Sequence, residues 1–488
     1  MTPKGIVQRA ALMGAVFATA VIAIRAVFGP LQIGSVSLSS PLGPESLFAA
    51  CLLLLVFLRA ESQWLTQPSA SSCPNGWHIA LLAAAVIAAF APNLTAPFLS
   101  DDYILVQTPT LQMRQVWQWF ALPGGDGSYR PLGSIAFALV GRFAGTNPLI
   151  WHVCGLFLHV ANCVMLFYLV LRLWGQARHA LAAGLLFGLN GTRPEAVSWT
   201  AAGFDLLATA CVLAALLLWS SGTGIRIRLI LVPFLVIAGV LFKESAYAAP
   251  MMMIALAYST GRLNRETRIS AGLVTASCVG LFCYRWHLFH GPGGYVSAVT
   301  GRPQILSLHC VSALKALFLR VWTILFFPIN WSPPMTLVTR VAIPAGCLAL
   351  LWMTWAARPV LRREAFGLYA CVVVCVLPAI HLALIGENAL GSRILYLPAV
   401  GFSILIGALL ARLPRRGGAL WVVVLFGFSM IAVVEHNLSA WRTAGRQADI
   451  LCAELTRTKG SREKVPGTLD GVYFFQNGLQ ACIASKSK

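Results

Sequence analysis

Residues 148–172 read PLIWHVCGLFLHVANCVMLFYLVLR, with no Asp, Glu, Lys or Arg before Arg172 closes the run. About 20 largely apolar residues carry a helix across the ~30 Å hydrocarbon core of a bilayer, so this stretch predicts a transmembrane helix. The rest of the 488-residue chain follows suit. It is 58% hydrophobic and 11% charged, with a mean hydropathy of +0.76. Soluble domains carry roughly 25% charged residues and disordered chains have low hydrophobicity, so both classes are excluded.

Working outward, apolar runs of spanning length lie near 9–28, 43–60, 77–95, 148–172, 177–192, 203–220, 227–242, 245–260, 269–289, 341–357, 365–385, 394–411 and 418–435. The expected fold class is all-α, a polytopic membrane protein with about 13 transmembrane helices. The net charge of +20 comes from 36 Lys and Arg against 16 Asp and Glu. The Arg residues cluster in every second loop, at Arg59, Arg172/Arg178, Arg226/Arg228, Arg262/Arg265/Arg268, Arg358/Arg362/Arg363 and Arg412/Arg415/Arg416. That pattern marks those loops as cytoplasmic and makes nucleic-acid binding the weaker account of the charge. The N-terminal run after Lys4 and Arg9 is read as a retained first span. The stretch 305–327 contains Lys315 and Arg320 and is read as interfacial or re-entrant, with an additional span as the alternative.

The outward loops hold the scarce acidic residues. The first, from Pro97 to Asn147, carries Asp101, Asp102, Asp126 and Arg130, and its segments 110–121 and 131–144 suit interfacial helices. Asp101-Asp102 is either a solvated acidic turn or a general-base pair. Arg130 opens a helix at Pro131 and either snorkels to headgroups or binds an anion. His159 and Asn162 share a helix face, which favours interhelical hydrogen bonding over ligand binding. Arg193 and Glu195 precede Asp205, which is costly at that depth unless paired, with Arg193 as the nearest partner. Lys243-Glu244 reads as a local ion pair or as a phosphate-facing lysine. Arg393 and Tyr396 lie about one turn apart; Arg393 either pairs with Glu387 or forms an anion site. Most of the 13 cysteines lie inside apolar runs and no CxxC occurs, so a zinc or redox site is not expected. Cys452 and Cys482 lie in the polar tail, as a disulfide or as two thiols.

Taken in order, several segments resemble the GT-C superfamily of polytopic glycosyltransferases, in particular the transmembrane and tetratricopeptide-repeat O-mannosyltransferases and their bacterial relatives. They are Asp101-Asp102, Arg130-Pro131-Leu132, His159 with Asn162, Pro194-Glu195-Ala196-Val197 running to Gly203-Phe204-Asp205-Leu206-Leu207, Lys243-Glu244, and Arg393-Ile394-Leu395-Tyr396-Leu397-Pro398. The resemblance covers roughly residues 77–435. It implies a polyprenyl-phosphate sugar donor and inverting transfer of a sugar, mannose among the candidates, to a glycan, lipid or protein hydroxyl. By the same resemblance Asp101 is the base, with Asp102 as support or as contact to a divalent cation, Mg or Mn. Arg393, Lys243 and Arg130 are the donor-phosphate cations. Glu195, Asp205, Glu244, His159, Asn162, Glu387 and Tyr396 are supporting residues. Phe204 stands where eukaryotic relatives usually have Arg, the repeats are absent, and an extra N-terminal hairpin precedes the matching region.

These readings divide the chain into an N-terminal hairpin (1–76), a catalytic membrane domain (77–435) and a small external tail (436–488). A bacterial inner membrane with a periplasm-facing site is the expected location. A secondary transporter or flippase would place its ionisable groups near the bilayer midplane in repeated halves. A lipid-linked-glycan ligase would rely on outward Arg and His.

Overall fold

A computed structural model describes residues 76–106, 113–122, 124, 127–294, 310–317, 321–326, 328, 359–380, 390–411, 419–457, 468–469, 471–473 and 476–486, with scattered positions between 9 and 38. The spans expected at 43–60 and 341–357, together with Asp126, Arg302, Arg320 and Glu387, lie outside the described residues.

Near the N-terminus a helical stretch at Arg9–Ala18 is followed by a two-stranded antiparallel ladder, β1 (Leu31–Ile33) and β2 (Val36–Leu38). The helices then run α1 (Gly76–Phe90), α2 (Asp102–Leu105), α3 (Met113–Ala121), α4 (Pro131–Ala144), α5 (Pro148–Trp174), α6 (Ala177–Leu189), α7 (Arg193–Ser198), α8 (Gly203–Trp219), α9 (Ile225–Phe242), α10 (Ala249–Thr260) and α11 (Arg265–Phe289). The short α12 (Cys310–Lys315) and α13 (Val321–Phe326) occupy the 305–327 stretch. After them come α14 (Pro359–Val376), α15 (Pro398–Ala411) and α16 (Ala419–Arg457), then β3 (Thr468–Leu469) paired with β4 (Val472–Tyr473), and α17 (Gln476–Lys486).

The deciding stretch folds as read. Asn147 caps α5 by accepting the Leu149 N–H, Pro148 takes the first turn, and Gly175 at φ +72° ends it through an N–H bond to the Leu171 carbonyl. Among the described residues, five helical stretches are long and apolar enough to cross a membrane: Gly76–Asn93, Pro148–Trp174, Thr200–Trp219, Ile225–Phe242 and Arg265–Phe289. The expected interfacial segments are helical, as α3 and α4.

Three helices are shorter than the spans read from hydropathy. α6 has 13 residues, α10 has 12 and α15 has 14. At 1.5 Å per residue they cover only ~18–21 Å of the ~30 Å hydrocarbon core. The turns at one end of these helices, 190–199, 243–248 and 392–397, take up the rest of those runs and carry Arg193, Glu195, Lys243, Glu244 and Arg393.

The helices pack around two cores. The large one threads α1, α5, α6, α8, α9, α10, α14 and α15. The small one joins the loop residues Phe98, Leu99, Tyr103 and Val106 to Phe137, Trp151, Ala444, Ala448, Leu469, Val472 and Leu479. α16 runs 39 residues without a break, so the boundary placed at 435/436 falls inside a helix. Its outer half, the β3–β4 ladder and α17 form a cap tied by the Cys452–Cys482 disulfide.

Candidate active site

These three turns and the loop that begins at Pro97 bring most of the candidate residues to one end of the bundle. Glu195, in the first turn of α7, takes a bond from the Arg393 guanidinium at 2.5 Å, from the Arg393 backbone N–H at 3.1 Å and from the Ser392 hydroxyl at 3.1 Å. Arg393 also lies over the Trp199 ring, its Cζ 4.4 Å from the centroid. Asp205, at the start of α8, is ion-paired with Lys243 at the end of α9. Glu244 accepts from Arg130 at 3.0 Å and pairs with Arg285 of α11 at 3.5 Å.

These partners differ from the expected ones. Asp205 pairs with Lys243 rather than Arg193. Arg193 is fully buried and donates to the carbonyls of Leu395 and Tyr396 and to the Thr192 hydroxyl. Lys243 and Glu244 do not pair with each other: the extended backbone at Lys243 (φ −159°, ψ 146°) sends the two side chains to different neighbours. Arg130 reaches Glu244, a partner the sequence did not suggest. Arg285 belongs to the cluster although no motif pointed to it. Its sequence signal is an arginine inside an apolar span, near the outward end.

Burial lowers the Lys243 ammonium's pKa; Asp205 opposes that shift, and Arg130 and Arg393 reinforce it. Both guanidiniums therefore lie close enough for Lys243 to feel them. Burial would raise the Glu244 carboxyl, but Arg130, Arg285 and Lys243 outweigh it and hold the group at about 2. Among these seven residues Arg130, Lys243, Arg285 and Arg393 face Glu195, Asp205 and Glu244, a surplus of one positive charge. The buried Arg285 Nε has no hydrogen-bond partner, so the cluster keeps an unused donor.

Below the cluster lies a neutral network. The Tyr396 hydroxyl meets His159 Nδ1 at 2.7 Å and accepts from Asn162 at 3.2 Å; His159 Nε2 meets the Gly188 carbonyl, and Asn162 also donates to the Leu206 carbonyl. Interhelical hydrogen bonding is thus what His159 and Asn162 do. Tyr396 points inward to them while Arg393 turns to Glu195, so the two do not act on one face.

The aspartate pair divides its labour. Asp102 is buried, and each of its oxygens accepts a backbone N–H, from Ala201 at 2.8 Å and Leu99 at 3.2 Å. Burial, with Asp101 adding to it, pushes the Asp102 carboxyl up to about 8 against the lowering effect of those N–H bonds. Asp101 is half-buried at the N-cap of α2. The bond to Ala201 fastens the loop to the turn whose Trp199 underlies Arg393. Among the described residues no three His, Cys, Asp or Glu side chains are grouped to hold a metal ion. Phe204 replaces a cation with an apolar shelf, stacking on Phe137 at 4.6 Å with the Arg130 Cζ 5.5 Å from its centroid.

A helical membrane protein with a buried cation cluster at one end of its bundle is the class these features define. No family model matches the chain. It is 32% identical over 131 residues to the protein O-mannosyl-transferase Tmtc1 of Drosophila melanogaster, an alignment covering 26% of this chain and 15% of that protein. It is 26% identical over 186 residues to the mouse (Mus musculus) protein O-mannosyl-transferase TMTC3, covering 35% of this chain and 20% of that protein. The chain thus matches a fifth or less of the length of these curated relatives. Both carry the name of the group that the ordered motifs resemble. Among solved structures it is similar to ArnT from Cupriavidus metallidurans bound to undecaprenyl phosphate, with a TM-score of 0.46 and 13% identity over 84% of this chain and 85% of that one.

Proposed function

We propose that the protein is a membrane glycosyltransferase of the GT-C type that moves a sugar from a polyprenyl-phosphate carrier to an acceptor hydroxyl on the extracytoplasmic side. The observation that carries the reading is the convergence of Arg130, Lys243 and Arg393 on one recessed site, with Asp102 fastening the Asp101 loop to the same turn. Such a site suits a phosphate that must be held while its ester bond to a sugar breaks. The names of the two curated relatives make mannose the first sugar to try. The tail disulfide fits an oxidising compartment, such as a bacterial periplasm.

In this reading the carboxylate of Asp101 takes the proton of the acceptor hydroxyl. The acceptor oxygen bonds to the sugar C1 from the face opposite the phosphate, so the anomeric centre inverts. The C1–O bond to phosphate breaks, and the leaving phosphate's charge develops beside Arg393, Lys243 and Arg130. Glu195, Asp205 and Glu244 hold those cations in place before the donor arrives, so little reorganisation is needed during reaction. Asp102 positions the loop.

The test uses the full chain in lipid nanodiscs with a panel of polyprenyl-phosphate sugars and candidate acceptors, following release of polyprenyl phosphate. Wild type is expected to turn over at least one donor. Asp101→Asn is expected to lose ~10²–10⁴-fold in rate, the range for removal of a general base, with donor binding retained. Near-wild-type turnover in Asp101→Asn overturns the base assignment. Absence of both turnover and donor binding across the panel favours a transporter.

A further inference from the structure

We propose that the disulfide-tied C-terminal cap is a positioning element for Asp101, gripping the loop that carries it through two glycines. The inference rests on the functional reading above, because it assigns the cap a target that matters only if Asp101 meets substrate.

The grip is made of backbone. A Cβ added to Gly478, in α17, would stand 2.2 Å from the Ser100 carbonyl oxygen, 2.4 Å from its carbon and 2.8 Å from its Cα. A Cβ added to Gly445, in α16, would stand 3.0 Å from the Pro97 carbonyl oxygen. The two helices thus close on either end of Pro97–Ser100, directly before Asp101. None of the atoms approached by Gly478 belongs to a side chain that can swing aside, so only glycine permits this approach. Ser100 is itself buried and held at φ +57°, a left-handed conformation that a non-glycine residue adopts only where its surroundings impose it.

The same two helices are joined covalently. Cys482 lies one turn beyond Gly478 on the same face of α17, and its partner Cys452 lies two turns beyond Gly445 on α16. Both sulfurs sit in the small core with Phe98, Leu99, Tyr103 and Leu479. A core of this size gains from a covalent tie between the two helices that build it. Breaking the disulfide would release α17 from α16, and with it the contact on Ser100. The recessed cations are held by their own ion pairs to Glu195, Asp205 and Glu244, none of which involves α17.

The experiment compares the oxidised full chain in nanodiscs with the reduced protein, with Cys452→Ser/Cys482→Ser and with Gly478→Ala, which keeps the disulfide. Gln480→Ala, at an exposed position on α17, is the control. Hydrogen exchange of peptides covering 97–106 and 148–174 is read beside the kcat and KM for the donor. In all three perturbed forms exchange at 97–106 should rise while 148–174 is unchanged. The kcat should fall by ~10-fold or more, as expected for a misplaced catalytic group, with KM for the donor within about twofold. Reoxidation should restore the reduced protein, and Gln480→Ala should behave as wild type. Unchanged exchange at 97–106, or raised exchange with unchanged kcat, overturns the proposal. If wild type transfers no sugar, the functional reading fails and the positioning role falls with it; loop exchange still reports separately whether the cap holds the loop.

Discussion

The recessed cation cluster and the Asp101–Asp102 loop lie at the same end of the molecule, yet different forces hold them. Arg130, Lys243, Arg285 and Arg393 are fixed by the carboxylates Glu195 and Glu244, on short turns, and Asp205, at the start of α8, so their geometry is electrostatic. The loop is held otherwise: its buried carboxyl takes backbone N–H groups, its flanks pack in the small core, and a disulfide-tied cap presses on Ser100. The first arrangement suits a phosphate site, where cations must be present but restrained before an anion arrives. The second suits a proton acceptor, which must be placed accurately.

Three measurements sharpen or break this contrast. The largest effect is expected from Glu244→Gln, which removes the carboxylate shared by Arg130 and Arg285 and leaves two guanidiniums facing each other. A loss of about 3 kcal/mol is expected from breaking such a buried pair, read by thermal unfolding in nanodiscs, with exchange at 97–106 unchanged. Loss of loop protection in that variant would show that the two regions are not held independently.

The next effect is a pH dependence that belongs to the loop alone. The Asp102 carboxyl rises from its ordinary 3.8 to about 8 on folding. A raised acid binds its proton more tightly in the folded state, so its contribution to stability is complete below 3.8 and is lost as pH climbs towards 8. The apparent melting temperature of wild type should fall relative to Asp102→Asn between those values, and the difference should level off above 8. Parallel curves for the two proteins would remove the burial argument for Asp102.

The smallest effect is expected from Tyr396→Phe. The change deprives His159 and Asn162 of a shared partner while Asn162 keeps the Leu206 carbonyl and His159 keeps that of Gly188. Roughly 1 kcal/mol of stability should be lost, with donor binding unaffected. A large loss of donor affinity instead would connect the neutral network to the phosphate site.

Much of this architecture is legible in the sequence because hydropathy is a local property. The run from Pro148 to Arg172 predicts a helix and forms one, and the period of 3.6 residues puts His159 and Asn162 on one face, where they bond across helices. Pro131 marks the start of α4 correctly. Hydropathy overran at 177–192 and 245–260, because apolar turns and 3-10 segments score like helix. α6 and α10 are shorter than those runs, and the charged turns take up the difference. Arg285 went unnoticed because a single arginine near a span end reads as snorkelling until Glu244 is seen beside it.

By itself the sequence determined that this chain lives in a membrane, which loops carry charge, and that acids and cations gather on one side. Those properties follow from windows of about 20 residues, each crossing or not crossing hydrocarbon on its own composition. Only the tertiary structure decided that Lys243 pairs with Asp205 and its neighbour Glu244 with Arg130, and that Gly478 closes on Ser100. Pairing depends on distance through space, and the helices that set those distances are packed by contacts between residues far apart in the chain, which no local pattern encodes.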